Sequence, residues 1–152
     1  MSFEAKLKEL GIELPAVPAS AGLYAPCVRS GNQLFVSGQV PMKDGSPALS
    51  GKLGREVTIE QAAPLARQCA LQALAIVRKE LGSLDNVVRT IRVAGFVASA
   101  EGFTDHPKVI NGASQVLLDI FGEAGRHARI AVGLAELPFG VPVEVEFLFE
   151  VR

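Results

Sequence analysis

The sequence predicts one α+β domain with the element order ββαβαββ, preceded by a short N-terminal helix. Apolar residues recur at helical spacing in two long segments, near residues 66–81 and 104–121. From Val143 to Val151, glutamates alternate with apolar residues, as in a strand with one buried face. A length of 152 residues suits a single domain, in which two helices would cover one face of a mixed sheet.

Local signals set the boundaries of these elements. Thr58 and Gln61 resemble a capping box before the first long helix, and Gly82 ends that helix. Proline is tolerated only near a helix start, so Pro64 predicts a first turn a few residues after Thr58. The other predicted elements are a helix at 3–10, strands at 24–29 and 33–37 joined by a three-residue turn, and strands at 87–97 and 129–135.

The second face of the sheet predicts an oligomer. Helices would cover one face, whereas side chains such as Ala25, Leu34 or Val132 would lie on the other, depending on the strand register. Alternation along the strand at 87–97 places Arg89 and Arg92 on opposite faces. Because an exposed apolar face on a small domain usually contacts another subunit, we expect a homo-oligomer.

Composition argues against several classes of function. A net charge of −1 gives no overall attraction to nucleic acid or anionic lipid. The N-terminus has no uninterrupted apolar core of a signal peptide, and no apolar run is as long as a membrane span, which predicts a cytoplasmic protein. Phosphate-binding glycine motifs and the GxSxG nucleophile motif do not occur.

Cysteine and histidine spacing gives no reason to expect a metal site. Cys27, Cys69, His106 and His127 do not form any of the usual ligand patterns. We predict that Cys69 is a small core residue on a helix. Cys27 is predicted on a strand, where a reactive thiol is a less favoured alternative.

Arg129 begins an apolar run that is predicted to be a buried strand, and its charge needs a partner. A guanidinium does not lose its proton in a protein, so its burial requires an acid, water or a ligand. If the last strand pairs with this one, Glu144 or Glu146 would lie near Arg129. Spacing alone favours a structural ion pair, and a receptor for a ligand carboxylate is the alternative.

Four other candidate residues have structural as well as functional explanations. His127 shares the side of the strand that carries Arg129, but it also follows a turn and could simply be exposed. Tyr24 could be a packing residue with one hydroxyl partner, and Asn111 could be solvated or bonded to nearby backbone. Gly38 could serve only the geometry of a strand end.

Together, several segments resemble the reactive intermediate deaminase family, also called RidA or YjgF-like. These segments, in the family's order across residues 20–152, are GLY at 22–24, SGQVP at 37–41, the helix carrying Asn111, ARIAVGLAELP at 128–138 and VEVE at 143–146. The resemblance implies a chorismate-mutase-like subunit in a homotrimer, with sites in the clefts between subunits. It agrees with the exposed sheet face inferred above.

The resemblance also implies a reaction, the hydrolysis of reactive enamines and imines such as 2-aminoacrylate to a 2-keto acid and ammonia. No metal or organic cofactor is implied. Arg129 matches the arginine that holds the substrate carboxylate, and Glu144 matches the acid associated with the attacking water. Tyr24, Gly38 and Asn111 match residues that line the cleft or approach the substrate.

Some positions depart from the family's pattern. The usual Pro-Ala-Arg-Ser is His127-Ala128-Arg129-Ile130 here, and Ala131, a substrate-binding position, stands where cysteine is frequent. His127 and Ile130 are therefore predicted at the pocket edge. Residues 1–19 and 41–56 extend the minimal domain as a helical extension and a surface insertion.

Other functions remain open at this point. The scaffold could bind small carboxylates or keto acids without turnover, or act only as a structural trimer. A third alternative is endoribonuclease activity, which is attributed to some relatives but is poorly supported by the net charge of −1.

Overall fold

The computed structural model describes residues 1–20 and 22–152 and has the predicted α+β architecture. A mixed sheet of five strands carries two long helices on one face. The elements are α1 (Phe3–Glu9), β1 (Cys27–Ser30), β2 (Gln33–Gln39), β3 (Met42–Lys43), β4 (Ser46–Pro47), α2 (Ile59–Leu81), β5 (Val87–Ala98), α3 (His106–Phe121), β6 (Ala128–Leu134) and β7 (Val143–Val151). Among the described residues, no helix has the length and apolar character needed to cross a bilayer.

The sheet order β1-β2-β7-β5-β6 puts the last strand of the chain in the centre. Only β5 and β6 are parallel; β3 and β4 form a separate small hairpin. In β7, every second side chain from Val143 to Val151 is buried under the helices, as the alternation predicted. The β1–β2 turn has two residues rather than three, since Ser30 pairs with Gln33 as part of the strands.

The long helix α2 begins earlier than Pro64 suggested. Both capping-box bonds form, from Thr58 N to Gln61 Oε1 (2.9 Å) and from Gln61 N to Thr58 Oγ1 (3.2 Å). Helix α2 therefore starts at Ile59, and the delayed start was wrong. Pro64 is the sixth residue of the helix and has no N–H group to donate to the carbonyl of Glu60. Because Glu60 is exposed, water can donate to that carbonyl instead.

Register irregularities in β5 change the position of its arginines. Arg89 lies opposite Glu150 and Arg92 opposite Leu148, with irregularities on either side of Thr90. Glu150 and Leu148 are two residues apart in β7 and share a face, so both arginines lie on the face without helices. The prediction of opposite faces was wrong because each bulge adds a residue and shifts the alternation.

Helix α1 packs on the helix layer, at the C-terminal end of α3. Asp85 Oδ1 accepts hydrogen bonds from Phe3 N (2.6 Å) and Glu4 N (3.2 Å), and Glu4 Oε1 accepts one from Leu84 N (2.9 Å). The rings of Phe3 and Phe121 meet edge to face at 4.8 Å between centroids. These contacts satisfy the amide groups at the start of α1 and the amide of Leu84, and they hold α1 on the outside of the domain.

The face without helices, here called the open face, is apolar over much of its area. Val132 is 40% exposed there, as predicted, and Phe35 is 46% exposed. Leu34 instead lies in the core under the helices, and Ala25 precedes β1 and is exposed. Residues 135–142 cross one end of this face, where Ala98, Leu137 and Val141 form a small second core.

The segment at 41–56 combines a small hairpin with a buried anchor. Leu53 is fully buried, its amide donates to Ala98 O (2.8 Å), and its carbonyl accepts from Ala100 N (2.9 Å). The hairpin β3–β4 follows directly after β2 and precedes Leu53 in the chain, and its Met42 carbonyl accepts a hydrogen bond from Gln68 of α2. The segment therefore contributes both to the core and to the surroundings of Gly38.

Candidate functional site

Arg129 extends from the edge strand β6 over the helix side of the sheet. Its register partner on β5 is Val93, which is buried under the helices, and paired residues of parallel strands share a face. From there the Arg129 Nη1 atom donates to Asn111 Oδ1 (2.8 Å) and to Ser114 Oγ (3.1 Å), both on α3. Asn111 is exposed and Ser114 is buried, so the guanidinium lies at the rim of the helix layer.

The partners of Arg129 are neutral, and this answers the question that its charge raised. Within residues 1–20 and 22–152, no carboxylate forms an ion pair within 4.0 Å of the guanidinium. Both described bonds use Nη1, whereas a guanidinium has five N–H donors in all. The Nε and Nη2 donors therefore keep capacity for an anion, which a bidentate carboxylate fits well.

The expected structural ion pair with Glu144 does not form within one chain. Strand β5 lies between β6 and β7, so the two strands do not pair. Glu144 is opposite Phe96 and faces the open side, whereas Arg129 faces the helices. The two residues with the strongest functional expectation thus lie on opposite faces of the same sheet.

His127 completes the surroundings of Arg129. Its Nε2 lies 2.9 Å from Ser114 Oγ, and its Nδ1 lies 2.6 Å from the carbonyl oxygen of Gly125. The ring is therefore half-buried and bonded at both nitrogens, rather than being a simply exposed turn residue. We call Asn111, Ser114, His127 and Arg129 the arginine cluster.

Glu144 lies on the open face against the backbone of Gly38. A Cβ atom at position 38 would overlap Glu144 Oε1, so only glycine permits this approach. The carboxyl faces a pocket of about 420 Å³, here called the Glu144 pocket. Its lining residues are Tyr24, Gly38, Val40, Pro138, Phe139 and Glu144.

The environment of Glu144 favours its neutral form. Partial burial raises the pKa of this carboxyl above its usual value, and the nearby negative charge of Glu146 raises it further. Burial and a neighbouring like charge thus make this carboxyl easier to protonate than an ordinary glutamate.

A second cavity of about 300 Å³ adjoins the Glu144 pocket and shares Tyr24 and Gly38 with it. Met42 and Gly45 of the small hairpin and Ile76 of α2 line this cavity. The buried Gln72 side chain closes one side, donating to Val40 O (3.0 Å) and Gln39 Oε1 (3.3 Å). The hairpin at 42–47 therefore lines the cavity beside the Glu144 pocket.

The other predicted site residues divide between the two faces. Ala131 shares the side of Arg129 and packs against the main core, whereas Ile130 lies on the open face and is 39% exposed. Tyr24 and Gly38 adjoin Glu144, and Asn111 and His127 adjoin Arg129. One chain thus contributes two separate groups of site residues.

The cysteines do not belong to either group. Cys69 is fully buried on α2, as predicted, and burial raises the pKa of its thiol. Burial and the neighbouring Glu80 carboxylate also raise the pKa of the Cys27 thiol, which disfavours the reactive thiolate. The structure thus gives no support for a reactive Cys27.

Sequence reasoning missed Ser114 and Phe139. Ser114 lies three residues after Asn111 and so shares its helix face, a spacing that could have indicated it as a second contact of Arg129. Phe139 is 55% exposed in a proline- and glycine-rich loop, and no local pattern connects that loop with Glu144.

Comparisons with known proteins agree with this architecture. Residues 4–150 match the family described as "YjgF/chorismate mutase-like, putative endoribonuclease". Protein TCP17 of Trypanosoma cruzi is 47% identical over 149 residues, covering 97% of this chain and 93% of that protein.

Solved structures give the same result. Atu1372 of Agrobacterium tumefaciens, a protein of unknown function, is 46% identical with a TM-score of 0.89, covering 99% of this chain and 92% of that one. A Shewanella oneidensis protein described as a "putative endoribonuclease" is 34% identical with a TM-score of 0.93, covering 99% of this chain and 100% of that one. With its sheet order, its helix layer and these matches over nearly its whole length, the chain belongs to the YjgF/RidA-like family.

Proposed function

We propose that this protein hydrolyses imines and enamines that carry a carboxylate, at a site shared by two copies of the chain. The observation that carries the proposal is the set of neutral partners around Arg129, which leaves guanidinium donors for a ligand carboxylate. Glu144 supplies the acid–base group, and its raised pKa suits that role. No metal or organic cofactor takes part in the proposed reaction.

The reaction needs little from the protein beyond positioning and proton transfer. An enamine first gains a proton on carbon and becomes an iminium ion. Water then adds to the iminium carbon while Glu144 takes a proton from it, and the C=N electron pair moves to nitrogen, which gives a carbinolamine. Glu144 passes that proton to the amino nitrogen. The hydroxyl group then loses its proton to Glu144 as the C–N bond breaks, so that ammonia leaves and a 2-keto acid remains. Each step needs a fixed substrate and a placed water, which are the tasks of Arg129 and Glu144.

A homotrimer would bring the two groups together. Strand β6 is an edge strand, so Arg129 borders whatever packs against that edge. The open face exposes apolar side chains, among them Val132, Leu134 and Phe35, as expected of a subunit contact. We propose that the arginine cluster of one copy meets the Glu144 pocket of the next. Tyr24, Gly38, Asn111 and Ala131 then line the cleft, and His127 and Ile130 lie at its edge.

The main experiment is a coupled assay that generates 2-aminoacrylate enzymatically and follows keto-acid release with and without this protein. We expect acceleration by the wild type and little by Arg129→Ala or Glu144→Gln at the low concentration of 2-aminoacrylate that this assay maintains. If the wild type gives no acceleration at any pH tested while still binding pyruvate, it is a binding protein and not a deaminase.

Mixed oligomers test whether the site is shared. Arg129→Ala and Glu144→Gln chains, unfolded and refolded together, should regain activity at about a quarter of the sites of a cyclic trimer. Refolding each variant alone is the control. No recovery in oligomers shown to be mixed would contradict a shared site.

The family's endoribonuclease description is tested in parallel by incubating the same preparations with RNA. A net charge of −1 gives little attraction to phosphates, so we expect no cleavage that depends on Arg129 or Glu144.

A further inference from the structure

We infer that His127, acting through Ser114, is a positioning residue that orients the guanidinium of Arg129 for its ligand. The inference rests on the proposed function of Arg129 as a carboxylate receptor. His127 stands where the family resemblance expects proline, which has no side-chain donor or acceptor. The hydrogen bonds that link His127 to Arg129 through Ser114 are therefore specific to this protein's own residues.

The direction of each hydrogen bond follows from the atoms involved. A carbonyl oxygen can only accept, so His127 Nδ1 donates its proton to Gly125 O at 2.6 Å. In the neutral imidazole, Nε2 then has a lone pair and accepts the hydroxyl proton of Ser114 at 2.9 Å. The Ser114 oxygen turns its lone pairs toward Arg129 and accepts from Nη1 at 3.1 Å.

This arrangement fixes the orientation of the guanidinium. A serine hydroxyl can rotate freely, but donation to His127 fixes its acceptor direction. Together with Asn111 Oδ1 at 2.8 Å, the fixed hydroxyl occupies both protons of Nη1. Because the guanidinium is planar, fixing Nη1 also fixes the directions of the Nε and Nη2 protons, which are the donors left for a carboxylate.

Burial makes the chain of bonds specific. Ser114 is only 8% exposed, so water has little access to replace its partners. Gly125, whose carbonyl holds the ring, is itself packed so closely that a Cβ atom there would meet the backbone of Leu117. The anchor of His127 is therefore rigid, and its effect can pass through one hydroxyl to Arg129.

Two isosteric substitutions separate this role from a merely structural one. Glutamine at position 127 can place a polar atom near the position of Nε2 and keep the bond to Ser114, whereas asparagine mimics Nδ1 and keeps only the bond to Gly125. If His127 positions Arg129, His127→Gln should behave nearly as the wild type and His127→Asn should not. If His127 only ties the loop to Gly125, the order should be reversed.

The measurement is kcat and KM in the coupled imine assay, together with the Kd for pyruvate. We expect Ser114→Ala and His127→Asn to raise KM and Kd by about 5-fold to 10-fold, with kcat changed less than about 2-fold. In a double-mutant cycle, the effect of His127→Asn should vanish in the Ser114→Ala background. Gln115→Ala, on the exposed side of α3, is the matched control and should change neither constant.

NMR of the Arg129 side chain tests the inference without turnover. Slow rotation about the Nε–Cζ bond is expected in the wild type and His127→Gln, and faster rotation in Ser114→Ala and His127→Asn. If the wild type fails to hydrolyse imines but these differences are found, the deaminase proposal fails and the positioning role stands. Three results would overturn the positioning role: unchanged Arg129 rotation in the variants, additive effects in the double-mutant cycle, or a lower KM and Kd for His127→Asn than for His127→Gln.

Discussion

The arginine cluster and the Glu144 pocket differ in how the protein controls their charged group: the first sets the direction of a charge, and the second sets the pKa of a carboxyl. In the arginine cluster, the hydrogen bonds that Arg129 donates to an amide oxygen and a hydroxyl oxygen fix the direction of a permanent charge without neutralising it. In the Glu144 pocket, partial burial and a neighbouring acid raise the pKa of a carboxyl whose charge is variable. For the proposed reaction, the first arrangement orients Arg129 toward a substrate carboxylate, and the second suits Glu144 to proton transfer.

The sharpest test of this comparison removes each charge in turn. Glu144→Gln should lower kcat by about 100-fold or more, because general acid–base catalysis contributes that much, and should leave KM nearly unchanged. Arg129→Ala should act mainly on KM, with Arg129→Lys as the charge-retaining control. Steady-state kinetics in the imine assay provide the measurement, and equal effects of both variants on kcat would contradict the division of tasks.

Substitutions at two glycines distinguish an effect on the site from an effect on helix packing. Gly38→Ala should displace the Glu144 carboxyl and lower kcat about 10-fold with little loss of stability, because the φ of Gly38 is not in the left-handed region. Gly112→Ala should instead force α2 and α3 apart at Ala63, costing about 1–3 kcal/mol of unfolding free energy. Activity and denaturant unfolding of both variants check this contrast; a stable, fully active Gly38→Ala protein would contradict it.

The raised pKa of Glu144 predicts a pH-dependent stability difference. A carboxyl whose pKa is higher in the folded than in the unfolded chain adds stability below its ordinary value of 4.5, and this is lost as pH rises through the folded pKa. Glu144→Gln should therefore be more stable than the wild type at neutral pH, and this advantage should shrink toward pH 4.5 and below. The gain should be small, because the side chain is half-exposed and solvent screens its charge.

Thermal unfolding of both proteins across that pH range is the measurement. Glu150→Gln serves as the control, since it removes one negative charge from the same strand outside the Glu144 pocket. A constant difference between wild type and Glu144→Gln at every pH would contradict the raised pKa.

The smallest effect on function is expected far from both regions. Asp85→Ala removes the acceptor for two amides at the start of α1 and should cost about 1 kcal/mol of stability. Because α1 packs on the outside of the helix layer, kcat and KM should not change. Denaturant unfolding and the imine assay measure the two quantities, and a loss of activity would show that α1 affects the cleft.

Local patterns predicted the elements well where one signal dominated. The alternation in β7 gave its exact bounds and buried face, and the capping residues Thr58 and Gln61 lie where the pattern placed them. Errors arose where a local rule was overridden, as at Pro64 and in the irregular part of β5. The candidate site followed only in part, since the resemblance pointed to Arg129 and Glu144 but nothing local indicated Ser114.

The sequence by itself determined the element order, the core-facing residues of the long elements and the need for a partner at Arg129. Those properties depend on residue chemistry and on periodicity within a single element. Only the tertiary structure decided that Arg129 meets α3 rather than Glu144, and that His127 reaches Arg129 through one hydroxyl. Strand order and helix packing bring together residues far apart in the chain, and no spacing within one segment encodes such contacts.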